Sequence, residues 1–234
     1  MDNAIGLQRA YYARIAADYD HAGDNALGLA FLRGMLDLLE IRSVLDVGAG
    51  NGQAMLALKA MSPQLRIVGI EPSAEMRAVG HANGLAPDEL VDGDGRNLPY
   101  PAEAFDLVCE FSVLHHVAEP SRIADEMLRV ARKAVLLVDS NNFGQGSARM
   151  RALKQMLNAL GLWPLANYLK TGGRGYSVDE GDGVAYSYSV FSDYDRIAAA
   201  CERVHVLNAE GDGRVACRRA PGAILLGIKR AQQK

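Results

Sequence analysis

Two adjacent histidines, His115 and His116, lie just past the apolar-rich run Phe105-Asp106-Leu107-Val108-Cys109-Glu110, and Asp139 closes another such run, 134–138. An imidazole with a pKa near 6.5 is suited to taking a proton from an attacking hydroxyl, and a carboxylate beside it can orient it or share that work. Adjacent side chains point different ways, so one histidine is expected as the base and the other as a contact to ligand or neighbour. Three more acids occupy comparable places. Asp46 sits inside the run 44–47, two residues before Gly48, the first of three alternate glycines with Gly50 and Gly52. Glu71 follows the run 66–70, about twenty residues past those glycines, where an acid can accept both hydroxyls of a ribose. Asp94 follows the short run 89–91.

These residues need elements that bring them to one edge. The run 44–47, the glycines and the helical composition of 53–60 read as strand, turn and helix, which place backbone N–H groups at the carboxyl end of a strand. The spacing is G-x-G-x-G, not the G-x-G-x-x-G of dinucleotide sites. A carboxylate at Asp46 would repel a pyrophosphate but can orient the turn and attract a cation. Strands at 44–47, 66–70, 89–91, 105–110 and 134–138 alternate with helices expected at 27–39, 53–60, 74–82 and 125–131. That alternation predicts a mostly parallel sheet, whose ligands collect at the carboxyl ends of the strands. All the acids and both histidines fall on that edge. The pattern then breaks. Residues 150–169 form one long amphipathic stretch whose Met150, Leu153, Leu157, Leu160 and Trp163 are spaced for a single buried face. A glycine-rich loop, 171–183, and Tyr186-Ser187-Tyr188-Ser189-Val190 follow, before a helix at 194–201 and strands at 204–207 and 223–228.

Residues 43–52 resemble the first motif of class I S-adenosylmethionine-dependent methyltransferases, and three further segments resemble the same family in order. Tyr11-Tyr12 and Ala16-Ala17-Asp18-Tyr19-Asp20 look like a segment that closes over the cofactor, and Gly93-Asp94-Gly95-Arg96-Asn97-Leu98-Pro99-Tyr100 looks like the one that meets the adenine. Leu114-His115-His116 is similar to the fourth-strand exit of small-molecule and sugar O-methyltransferases, and also of carbon methylators such as those of ubiquinone biosynthesis. The resemblance implies an α/β, Rossmann-like fold: a mostly parallel seven-stranded sheet, helices on both faces and an antiparallel final strand. It implies S-adenosylmethionine as cofactor and S-adenosylhomocysteine as product. The cofactor-binding set would be Tyr12, Tyr19, Asp46, Gly48, Gly50, Gly52, Glu71, Pro72, Asp94, Gly95 and Phe111, with His116, His115 and Asp139 at the reacting centre. The acceptor is expected to be a small molecule methylated at a hydroxyl oxygen, with methylation of carbon or nitrogen open. Two other readings are a nicotinamide-dependent oxidoreductase, which leaves Asp46 and the Asp94 segment unexplained, and a binding module without turnover.

The chain has 234 residues and a net charge of −3, which suits one α/β domain with an elaboration and gives no general footprint for nucleic acid. One domain over 1–234 is expected, with a cofactor-covering helix near 7–20 and an insertion near 143–190 serving as lid, dimer interface or membrane-surface element. Three widely spaced cysteines argue against a disulfide framework or a zinc site, and no His/Asp/Glu grouping has metal-ligand spacing in the sequence. No apolar run approaches the ~20 residues needed to span a bilayer. The first six residues carry no basic, apolar leader pattern, so a cytoplasmic protein is expected.

Overall fold

Residues such as Val44, Leu45, Ile67, Val68, Val135 and Leu136 form short branched apolar runs, the composition of strands covered on both faces. The computed structural model describes residues 2–16, 25–209 and 215–230. Its strands are β1 (Ser43–Val47), β2 (Arg66–Ile70), β3 (Leu90–Val91), β4 (Phe105–Phe111), β5 (Ala131–Ser140), β6 (Tyr176–Asp179), β7 (Gly183–Tyr186), β8 (Cys201–Asn208) and β9 (Gly222–Lys229). Among the described residues, seven of these form one sheet in the order β3-β2-β1-β4-β5-β9-β8, and β6 and β7 form a separate hairpin. β1 to β5 pair in parallel, and β9 lies antiparallel to both β5 and β8.

The helices are α1 (Asp2–Ile15), α2 (Ala26–Leu38), α3 (Gln53–Met61), α4 (Ala74–Ala82), α5 (Pro120–Val130), α6 (Ala148–Ala159), α7 (Trp163–Lys170), α8 (Tyr194–Ala200) and the single turn α9 (Ala216–Arg219). Alternation along the strands divides the core in two. Leu45 and Val47 pack with Ile123 and Met127 of α5 and Ile197 of α8. Val44 packs instead with Leu32 and Leu36 of α2 and Met55 and Leu58 of α3. Helices therefore cover both faces, and the expected sheet is present.

Several boundaries move for local reasons. α1 begins earlier than expected and ends at Ile15. α5 starts at Pro120 rather than 125, because proline in the first turn presets φ and lacks an N–H that would have no partner there. β5 runs on to Ser140 because β9 pairs with it as far as Ser140↔Gly222. The glycine-rich 171–183 is not wholly loop: it contains β6 and the turn to β7.

The largest correction concerns residues 150–169. They form two helices, broken where Gly161 takes a left-handed φ of +70°, with Pro164 in the first turn of α7. The apolar stripe is not a buried face. Met150, Leu153 and Leu160 are exposed, and Lys154, 8% exposed, is the residue α6 buries. Its Nζ meets Asn142 O, and Gln155 Nε2 donates to Phe143 O (2.9 Å) and Arg218 O (2.8 Å). What faces α6 is loop backbone, and backbone carbonyls call for donors rather than methyl groups.

Candidate active site

β1 ends at Val47, and the chain turns at Gly48 with φ +76°. Gly48 N and Ala49 N both donate to Ile70 O, at 2.8 and 3.0 Å, which ties the turn to the end of β2. A Cβ at Gly48 would stand 2.6 Å from Val113 Cγ2, so the position needs glycine for space as well as conformation. Gly50 N donates to Glu71 Oε2 (3.0 Å) and Ser73 N to Oε1 (2.8 Å). Glu71 is 7% exposed; burial raises its pKa, against these backbone donors and Arg77. Each carboxylate oxygen keeps a lone pair beyond its backbone bond, and Glu71 lines a cavity of about 180 Å³.

That cavity gathers most of the expected cofactor set. Gly48, Gly50, Glu71 and Pro72 line it from the first two strand ends, Asp94 and Gly95 from the third, and Phe111 from the fourth. Val113, Val117 and Ile123 supply apolar walls, while Ala4, Ile5, Gln8 and Tyr12 of α1 form a roof. Two expected contacts do not line it. Asp46, 3% exposed, lies among core residues, with its Oδ1 3.9 Å from Cys109 Sγ; burial and then Glu71 push its pKa up to about 7. Gly52 opens α3 at φ +76° and packs beside Leu85. Tyr19 lies outside the described residues. Asp94 is clasped by Arg96, whose Nε lies 3.0 Å from both carboxylate oxygens and whose guanidinium reaches Oδ2 at 2.6 Å. Hydrogen bonding to Arg96 holds Asp94 below the usual carboxylate range. Sequence reading missed this arginine as a site residue, although it stands two positions away.

The histidines stand between this cavity and a second one of about 190 Å³. His116 lines the first, His115 the second, and Tyr186 lines both. The second cavity is walled by polar side chains, among them Ser140, Asn142, Asn167, Thr171 and Tyr176. His115 Nδ1 lies 2.7 Å from Asp139 Oδ1, and His116 Nδ1 lies 2.6 Å from Val184 O. The other ring nitrogen of each histidine faces Asp182, at 3.6 Å from His115 and 3.4 Å from His116. Burial opposes charge on His115, but Asp139 and Asp182 outweigh it and carry its pKa up to about 10. Asp139 is held below its ordinary value: burial works against it, and the His115 charge and bond prevail. Behind it, fully buried Glu110 accepts from Val113 N (3.1 Å) and Val138 N (3.0 Å), and burial beside Asp139 raises its pKa well above normal. Glu110 therefore keeps its proton while Asp139 is ionised. Asp182 is depressed strongly by its bonds to His115 and His116.

Asp182 was not foreseen, because nothing in a glycine-rich loop far downstream marks it as a neighbour of the histidines. The ligating atoms of His115, His116 and Asp182 lie within 4.8 Å of one another, a spacing that suits shared protons or a divalent ion. The hairpin that carries Asp182 is tied to the roof of the first cavity. Val184 N donates to Gln8 Oε1 (2.5 Å), and Tyr11 OH donates to Gly181 O (2.6 Å).

The parallel sheet with a closing antiparallel β9, and a glycine turn that carries backbone donors beside a strand-end acid, define a Rossmann-like ligand-binding protein. Residues 45–138 match the model of a methyltransferase domain family, and the fold is the Rossmann-like one of class I methyltransferases. Such a domain implies S-adenosylmethionine as cofactor, and the glycine turn, Glu71 and the apolar walls of the first cavity fit that ligand. The chain is 36% identical over 119 residues to a phosphatidylethanolamine N-methyltransferase of Cereibacter sphaeroides, covering 49% of this chain and 57% of that protein. It is 36% identical over 98 residues to an uncharacterized methyltransferase of Mycobacterium marinum, covering 42% of this chain and 38% of that protein. The chain thus matches about half or less of the length of these relatives. Among solved structures, a methyltransferase of Thermotoga maritima described as a possible histamine N-methyltransferase has a TM-score of 0.57 at 20% identity, over 94% of this chain and 99% of that one. An S-adenosylmethionine-dependent methyltransferase of Mesorhizobium loti has a TM-score of 0.56 at 16% identity, over 88% of this chain and 98% of that one. At these identities the likeness is one of fold. Among the described residues no helix is long and apolar enough to cross a membrane.

Proposed function

We propose that this protein methylates a small polar acceptor at a hydroxyl oxygen, with residues 1–234 acting as one cytoplasmic unit in which 143–190 covers the acceptor. The observation that carries the reading is the position of the histidine pair, between the cavity lined by the glycine turn and Glu71 and a polar one. S-adenosylmethionine, when bound, supplies a methyl group already activated by the sulfonium charge, so the protein's tasks are alignment, exclusion of water and removal of one proton. His116 is the proton acceptor in this reading. Its Nδ1 faces the Val184 carbonyl, which selects the tautomer with an unprotonated Nε2, and Asp182, 3.4 Å from that nitrogen, stabilises the imidazolium that forms. His115 is already charged at neutral pH, so it holds Asp139 and Asp182 in place rather than taking the proton. Glu71 binds the ribose, Asp94 and Gly95 meet the adenine, and Tyr12 closes the roof.

The depressed Asp182 carboxylate supports a second reading, an amine acceptor held by its charge. The N-methyltransferase name of the Cereibacter sphaeroides relative is consistent with it.

Calorimetry with S-adenosylhomocysteine and with NADH tests the cofactor, and a panel of polyols and amines read by methyl transfer tests the acceptor. Under the hydroxyl reading, His116→Ala lowers kcat by about 100-fold while S-adenosylhomocysteine affinity stays within about threefold. Unchanged kcat removes His116 as the base. Loss of rate on chelation with EDTA would assign the His115, His116 and Asp182 cluster to a metal instead.

A further inference from the structure

We propose that the outer face of α6 and α7 docks on the surface of a bilayer that contains anionic lipid. The inference does not depend on the acceptor or on methyl transfer. It starts from an inverted helix pair. The inward side of this segment is fastened by polar groups: Lys154 and Gln155 reach loop carbonyls, and Trp163 Nε1 donates to Ser187 Oγ at 2.8 Å. The apolar side chains are left outside. Leu153 and Met156 on α6, Leu160 and Leu162 at the turn, and Leu165 and Leu169 on α7 are all exposed, Leu160 by 64% and Leu169 by 70%. On each helix they recur at three- and four-residue spacing, so each presents a stripe. Such a concentration of exposed apolar side chains within one short segment marks a surface that another body covers.

Charge identifies that body. Residues 143–178 contain Arg149, Arg151, Lys154, Lys170 and Arg174 and no aspartate or glutamate, in a chain whose net charge is −3. Arg149, Lys170 and Arg174 are exposed. A second copy of the chain is a poor occupant. A two-fold dimer brings the same patch against itself, which would set this cationic segment against another. An anionic lipid surface offers negative headgroups for the basic residues and an acyl boundary for the leucines, the pairing expected of interfacial helices. α6 and α7 are each far too short to span the hydrocarbon, so the contact is with the surface. α7 and the residue after it also contribute Asn167, Lys170 and Thr171 to the polar cavity, so docking would bring that cavity close to the headgroups.

The test is co-sedimentation of the tag-free full chain with vesicles of phosphatidylcholine alone or with about 30 mol% phosphatidylglycerol. The expected result is at least tenfold stronger partitioning onto the anionic vesicles, weakening as salt rises. Two variants attack the two components separately: Leu165→Asp with Leu169→Asp, and Arg149→Glu with Arg174→Glu. Each should lower partitioning about tenfold or more with the circular dichroism spectrum and S-adenosylhomocysteine affinity unchanged. Equal partitioning onto both vesicle types would overturn the proposal, as would full binding by both folded variants. So would a wild-type dimer in light scattering that becomes monomeric in the leucine variant, because the face would then be covered by a second copy.

Discussion

The strand-end half of the molecule and the 143–190 segment follow opposite rules. In β1 every residue is buried, and its apolar Val44, Leu45 and Val47 are the deepest. The exceptions inside that half are buried polar groups, Ser43, Asp46 and Asp106 among them, and three of the acids, Glu71, Glu110 and Asp139, lie at strand ends at or beside the candidate site. In α6 the correspondence reverses, with Lys154 inside and Met150, Leu153 and Met156 outside. A sheet with helices on both faces surrounds its strands mostly with apolar neighbours, so apolar composition and burial largely agree there. A helix laid over loops meets carbonyl groups, and its own polar residues become the better inward face. An amphipathic pattern therefore identifies two faces without saying which one is inside.

Substitutions at the strand ends should be costly, and those on the outer face of the insertion should not. The largest effect is expected at Gly48. Gly48→Val places a branched side chain at positive φ and drives it into Val113, a cost of roughly 5 kcal/mol read by urea denaturation, with S-adenosylhomocysteine binding lost. His115→Ala strips buried Asp139 of its charged partner. Roughly 3–5 kcal/mol of stability should go, and a loss below about 1 kcal/mol would mean that the pair is not ionised as described.

Asp46 gives a pH signature. Its folded pKa of about 7 lies above the ordinary carboxylate value, so the native state binds the proton that the unfolded chain releases. Its penalty is absent below about pH 4, grows as pH rises towards 7, and is complete above it, on the order of 4 kcal/mol. Asp46→Asn should remove that slope. Denaturation of both proteins at acid and alkaline pH checks this, and parallel curves would contradict it. Glu71→Gln is smaller, with S-adenosylhomocysteine affinity expected to fall about tenfold as the turn loses one carboxylate acceptor. Leu153→Gln should be smallest, within about 0.5 kcal/mol of wild type, since its side chain is exposed. A large loss there would erase the contrast between the two regions.

The parts legible in sequence were those whose partners are near in the chain or repeated in every strand. The glycine turn, Glu71 and the histidines each announce themselves within a few residues, and the strand runs predict the sheet edge that collects them. Arg96 and Asp182 do not. Arg96 looks like an ordinary surface residue, and Asp182 reaches the histidines only because a hairpin folds back over them. Glu110 carried a usable signal, an acid at the end of an apolar run like Asp46 within its own. Asp46 reads in the sequence as a charge facing the turn, yet its side chain is buried, because a strand residue two before the turn is still covered by the helix layer on its face.

The bonds from Gln8 to Val184 and from Tyr11 to Gly181 join residues 176 and 170 positions apart. At ribosomal speeds of roughly 10 residues per second, α1 is made well over about ten seconds before the hairpin that anchors it. Within that time the nascent chain can assemble β1 to β5 and the glycine turn while α1 lacks its hairpin partner. The roof is therefore a late product of translation, and a ribosome stalled before residue 183 leaves the floor of the site without its cover.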